Sequence, residues 1–147
     1  LLHDIGKVAM DNFAQDTFQL VLNELKNKEE PFFKTEQRVL GIDHSRVGEW
    51  VARSWELPLL TVVSIRHHHE EPGARKGFNL SQDNVVDIVA VSDWLAITNS
   101  MGNSGSSIAV EPSAEIFSRA NITKEQAQAF ADRLKPEIAK DAAELGI

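Results

Sequence analysis

The chain has no cysteine, so neither a disulfide framework nor a thiolate zinc site is open to it. That suits a reducing compartment, and a cytoplasmic location is expected. It also lacks any apolar run near the roughly 18 residues of a membrane span, and it shows no secretory leader pattern. Basic residues are in deficit. The 15 Lys and Arg stand against 22 Asp and Glu, a formal net charge of −7. Broad nucleic-acid binding needs a basic footprint and is therefore not expected, nor is a membrane partner. Alternating strand patterns, Asn-Gly or Asp-Gly hairpin signals and internal repeats are missing as well.

What is present is helical periodicity. A chain of 147 residues with 42% hydrophobic side chains fits one domain with its own core. The pattern predicts a helix over residues 1–12 and a second over 15–28, with Phe18, Val21, Leu22 and Leu25 as its apolar stripe. Pro31 ends the second. A short helix over 35–40 stops at Gly41, and Asp43 caps the next, over 44–55, where Val47, Trp50, Val51 and Trp55 share one apolar face. Leu57-Pro58 breaks the chain and starts a helix that runs to residue 69. Residues 71–80 read as a loop with Arg75 and Lys76 exposed, and Ser81 caps a long aliphatic helix to residue 100. A Gly/Ser/Asn-rich stretch follows over 101–107, and Glu111-Pro112 opens a short helix to residue 120. Thr123 with Gln126 forms a capping box for a last helix, which Pro136 should kink or split. The expectation is an all-α domain over 1–147, a bundle of short antiparallel helices. Motif-bearing helices fill 1–100; a flexible loop and C-terminal helices fill 101–147. The chain opens on Leu1 and its first motif begins two residues in, so further residues are expected upstream.

All five histidines fall in three short stretches that also carry acids: His3-Asp4, Asp43-His44, and His67-His68-His69-Glu70. Imidazole and carboxylate are the usual ligands of divalent metals, and here they cluster. In His3-Asp4-Ile5-Gly6-Lys7, helical neighbours about 100° apart could reach one ion from adjacent directions. Lys7 falls on the same face, where an ammonium can bind phosphate as a point charge. Gly6 removes a side chain where a close approach is needed. An ordinary amphipathic helix with a surface His-Asp pair would look the same over these five residues. Of the three consecutive histidines at most two can serve one site. Asp93, flanked by Val89, Val91, Trp94 and Leu95, is expected to be buried only if paired, hydrogen-bonded or bound to metal. A sulfur-free donor set suits Fe, Mn, Mg, Ni or Zn without choosing among them, and two nearby ions could clamp a phosphoryl group.

Together these motifs resemble the HD-domain superfamily, and within it the HDOD subgroup of bacterial signalling proteins. The stretch from His3 to Lys7 is similar to the superfamily's His-Asp signature. Leu40-Gly41-Ile42-Asp43-His44 with Val47-Gly48, then Trp55-Glu56-Leu57-Pro58, Ser64-Ile65-Arg66 and His68-His69 resemble the HDOD segments that follow. Val91-Ser92-Asp93-Trp94-Leu95-Ala96 is similar to the final aspartate helix. The resemblance covers residues 1–100. It implies metal ligation by His3, Asp4, His44, His68, His69 and Asp93, with Lys7 as a phosphate-side base or electrophile. His67 stands where the subgroup often has an aromatic. The superfamily's upstream first histidine is not in this chain. The Gly-Tyr-Pro signature of related cyclic-dinucleotide phosphodiesterases is replaced by a loop without tyrosine.

Two readings follow from the resemblance. In the first, the region is a signal-transduction module that binds one or two metal ions and acts through contacts with signalling proteins or fused sensory and output modules. In the second, it is a metal-dependent phosphohydrolase acting on a nucleotide or cyclic dinucleotide. There water activated at the metal attacks phosphorus, Lys7 neutralises developing charge, and Asp93 holds or deprotonates that water.

Overall fold

Residues 2–76, 83–103, 105 and 108–145 are described in the computed structural model of this chain. Among them are eight α-helices and one short 3₁₀ turn, with no strand. The helices are α1 (Ile5–Phe13), α2 (Gln15–Asn27), α3 (Phe32–Leu40), α4 (His44–Ser54), α5 (Leu59–His67), α6 (Asn84–Thr98), α7 (Ala114–Arg119) and α8 (Lys124–Leu145). The all-α bundle expected from the periodicity is the fold observed. Among the described residues no helix is long and apolar enough to cross a membrane.

Local chemistry accounts for most of the boundaries. Gly41 ends α3 in the left-handed conformation at φ 73°, a region open to residues without a Cβ. The Asp43 carboxylate accepts from the Arg46 amide at 3.1 Å and caps α4. Ser113 does the same for Ile116 at the start of α7. Thr123 and Gln126 exchange their capping-box bonds at 2.9 and 3.2 Å. Three boundaries differ from the sequence reading. First, α1 begins at Ile5, so His3 and Asp4 lie in the turn that leads into it, closed by the Ile5 amide on the Leu2 carbonyl at 3.1 Å. Second, α3 begins at Phe32, three residues early, because Pro31 serves as its cap. Third, α8 runs through Pro136 without being split. Proline removes one backbone bond there, and on this largely exposed stretch water can serve the freed carbonyl. The expected Ser81 cap lies outside the described residues.

Helix α4 packs against both α1 and α5, α2 covers α3, and α6 packs on α5, α7 and α8. Three apolar clusters hold these contacts. Met10, Phe18, Val21 and Phe32 join α1, α2 and α3, and Ala52, Val62 and Ile65 join α4 to α5. Val91, Trp94, Leu95, Ile116, Phe117 and Ala127 tie α6 to α7 and α8. The stripe expected on α2 is the buried one. The stripe expected on α4 is not. Its buried face is His44, Ser45, Gly48, Glu49 and Ala52, and Trp50 and Trp55 are more than half exposed. Small residues win that face because the backbones approach so closely. A Cβ on Gly6 would stand 1.9 Å from the His44 carbonyl oxygen, and one on Gly48 would meet the Ile65 side chain at 2.6 Å.

Asp87 supplies a second constraint, away from the histidines. It is fully buried on α6, with Arg75 at 2.7 Å and Arg119 at 2.8 Å. Arg75, expected to be exposed, turns inward because a buried carboxylate needs a partner.

Two stability tests follow. Gly6→Ala should cost about 3 kcal/mol or more in urea denaturation, because the clash is with backbone, whereas Gly48→Ala should cost less, about 1–3 kcal/mol, because a side chain can give. Asp87→Ala should cost about 3–5 kcal/mol by leaving Arg75 buried and unpaired. A change within 0.5 kcal/mol at either Gly6 or Asp87 would contradict this account of the packing.

Candidate metal centre

Four separate segments deliver the histidines and acids to one place. The turn before α1 presents His3 and Asp4, and the Asp43 cap sets His44 in the first turn of α4. The end of α5 presents His68 and His69, and the middle of α6 presents Asp93.

Asp4 joins them. Its Oδ1 lies 3.1 Å from Nε2 of His44 and 3.9 Å from Nε2 of His68. Its Oδ2 lies 2.8 Å from Nζ of Lys7 and 3.7 Å from Nε2 of His3. Nε2 of His3 also meets Oδ1 of Asp93 at 3.2 Å, across 90 residues of sequence. Nε2 of His69 lies 3.1 Å from Nε2 of His44. Two sets of three donors are close enough to share an ion, His44/His68/His69 and His3/Asp4/His68, and His68 belongs to both. All six residues expected as ligands therefore converge, and Lys7 stands beside them. His67 is buried but bonds the Glu70 carboxylate at 2.6 Å through Nδ1 and does not line the cavity described next.

Lys7, His44, His68, His69 and Asp93 line a cavity of about 50 Å³, room for an ion and a few waters. Its remaining walls include Phe33, Ile97, Ile108, Val110, Pro112 and Ile116. Several of these come from beyond residue 100, where the sequence carried no motif. The Ser113 hydroxyl donates to the Glu71 carboxylate at 2.6 Å and holds this cover to the loop after the histidines.

The donor chemistry fits a divalent cation. Nδ1 of His68 donates to the Ile65 carbonyl at 2.8 Å, which leaves the lone pair on Nε2. That Nε2 is buried and has no hydrogen-bond partner among the described residues. Burial, then the neighbouring His44 and His3, pushes the His68 imidazole down to about 3. Burial and the adjacent His68 hold His69 well below the ordinary range. Both rings are thus neutral at pH 7 and open to a metal without losing a proton. Burial works against charge at His44 as well, but the bonds to Asp4 and Glu36 outweigh it and raise that ring. At Asp4 burial is outweighed by His44, Lys7 and His3, and the carboxyl is held far below its usual range.

Two supporting residues escaped the sequence reading. Glu36 is fully buried under His44, and Phe33 stacks on the His69 ring at 4.3 Å. Both sit in an otherwise ordinary amphipathic helix. A hydrophobic neighbour to Glu36 would have been a signal, but its flanking residues are Thr35 and Gln37.

These shifts have a consequence for acid stability. A buried imidazole that is neutral when folded gains a proton on unfolding, so stability falls as pH drops below 6.5 and goes on falling toward about 3. His44, raised, works the other way: its contribution is complete below 6.5 and is lost as pH rises through its folded value. With His68 and His69 outweighing His44, the metal-free protein should have a lower urea midpoint at pH 4.5 than at pH 7. His68→Leu should flatten that difference, and an equal slope in both proteins would refute the neutral assignment.

The model of the HDOD domain family matches residues 1–71. No curated protein matches the chain. Among solved structures, an HDOD domain protein of unknown function from Geobacter sulfurreducens superposes with a TM-score of 0.72 at 21% identity, over 97% of this chain and 49% of that one. At that identity the likeness shows the fold, and this chain spans about half the length of the Geobacter protein. Motif order, helical fold and family match agree: residues 1–71 match the HDOD domain family, and the whole chain shares the fold of an HDOD domain protein.

Proposed function

We propose that this region is a metal-binding HDOD-type regulatory module, which relays a signal through contacts with signalling proteins or with modules fused to it in the cytoplasm. The observation that carries the metal reading is the buried, unpartnered Nε2 of His68, set among donors from three other segments. His3, Asp4, His44, His68, His69 and Asp93 would hold the metal. Because His68 belongs to both donor sets, the pair of sets accommodates one ion or two. The donors are imidazole and carboxylate alone, which suits Fe, Mn, Mg, Ni or Zn.

The small volume beside the donors favours a regulatory role over turnover, since a cyclic dinucleotide is far larger than an ion with its waters. A metal held there would tie four chain segments to one point and so would stabilise one arrangement of the bundle.

One observation favours the phosphohydrolase alternative: Lys7 lines the same cavity, with Nζ 2.8 Å from Asp4. When bound, a divalent metal supplies Lewis acidity and lowers the pKa of water. Lys7 would neutralise charge on a phosphoryl oxygen, and Asp93 would orient the attacking water and accept its proton.

Metal analysis of the purified protein tests the shared part. Wild type should carry one to two equivalents of divalent metal, and His68→Ala and Asp4→Ala should each lose at least half. Equal content in all three would sink the metal reading. Incubating the intact protein with Mn(II) or Fe(II) and either cyclic dinucleotides or phosphomonoesters separates the two roles. No turnover is expected; turnover that disappears in Lys7→Ala would replace the regulatory role with the enzymatic one.

A further inference from the structure

Among the described residues the two fully buried carboxylates, Glu36 and Asp87, are balanced in different ways. Asp87 sits between two arginines. Glu36 has no ion pair with lysine or arginine among the described residues; the charged partner it meets is His44. One oxygen, Oε2, does all the work. It lies 2.5 Å from Nδ1 of His44 and accepts from the His44 backbone amide at 3.0 Å. Gripped at both ring and backbone, His44 has little freedom to rotate. The other oxygen, Oε1, is buried without a hydrogen-bond partner.

We propose that Glu36 is a positioning residue for the metal centre, holding His44 with its Nε2 directed at the ion. The inference rests on the metal reading above. A carboxylate only accepts, so the Nδ1 that faces Glu36 carries a hydrogen, and Nε2 is the ring atom left for an ion, which would take the place of the proton that Nε2 shares with Asp4. That atom faces Asp4 and His69 at 3.1 Å each. The pairing is of the carboxylate–histidine–metal type, in which the outer carboxylate fixes the tautomer and makes the ring a stronger donor. Glu36 is buried with an imidazole as its charged partner among the described residues, and a divalent ion at Nε2 would place further positive charge beyond that ring. The other two imidazoles of its donor set, His68 and His69, are held without a carboxylate. His68 uses the Ile65 carbonyl, and His69 lies against Phe33, one turn before Glu36 on α3. His44 is thus the ligand whose strength depends on a removable acid.

The test is Co(II) affinity, measured by chelator competition at fixed pH on wild type, Glu36→Gln and Glu36→Met, with NMR of the histidine ring N–H protons in the Co(II)-loaded proteins. Gln keeps the volume and one acceptor but removes the charge; Met keeps the volume alone. Wild type should bind tightest, Glu36→Gln about 10-fold more weakly and Glu36→Met up to about 100-fold more weakly. The hydrogen-bonded Nδ1–H resonance of His44 should persist in Glu36→Gln and exchange away in Glu36→Met. A purely structural role would lower the denaturation midpoint while leaving affinity and that resonance in place. Affinities within twofold of wild type in Glu36→Gln overturn the proposal, and this variant decides alone if Glu36→Met does not fold. Failure of wild type itself to bind Co(II) instead removes the metal reading, and this inference with it.

Discussion

Helices α1 and α4 meet backbone to backbone at Gly6, and the geometry of the centre depends on that approach. No side chain fits between Gly6 and the His44 carbonyl. Gly48, one turn along α4, lets the same helix settle on Ile65 of α5. Two missing side chains therefore bring three helices within reach of each other. The turn before α1 lies at one end of this contact, so Asp4 arrives 3.1 Å from the His44 ring. The close approach also explains why α4 buries small and polar residues and leaves Trp50 and Trp55 outside. A bulky apolar face would hold α1 too far away for Asp4 to reach the histidines.

The centre is electrostatically uneven in a way that suits cation binding. Burial keeps His68 and His69 neutral, and Lys7, His3 and His44 keep Asp4 ionised. Two neutral imidazoles, His68 and His69, thus stand beside an ionised carboxylate. The arginines that could have neutralised a buried acid are engaged elsewhere: Arg75 and Arg119 on Asp87, and Arg46, Arg53 and Arg66 around Glu49. The basic residues of the chain are thus placed so that Lys7 is the cation lining the cavity among the described residues.

The C-terminal part contributes a largely apolar cover and the Glu111 carboxylate. Ile108, Val110, Pro112 and Ile116 close over the cavity, and α7 and α8 are fixed to α6 by Trp94, Phe117 and Ala127. Apolar walls lower the local dielectric and strengthen any electrostatic contact inside.

By itself the sequence determined the helices, most of their caps and the six candidate donors. Those features are local: Gly41, Asp43 and the Thr123–Gln126 pair act over three or four residues, and residue type together with the family resemblance singles out His3, Asp4, His44, His68, His69 and Asp93 as candidate donors. Tertiary structure decided which groups support them. Glu36 and Phe33 carry no local mark, since an acid and an aromatic on an amphipathic helix gain their roles only from what α3 packs against. The inward turn of Arg75 and the cover over residues 108–116 have the same origin. The sequence placed Asp87 and Asp93 in equally apolar surroundings; only the arrival of arginines from α7 and the loop at one, and of His3 at the other, set them apart. Periodicity records that a residue faces inward, and the partner across the gap is fixed by the packing of helices far away in the chain.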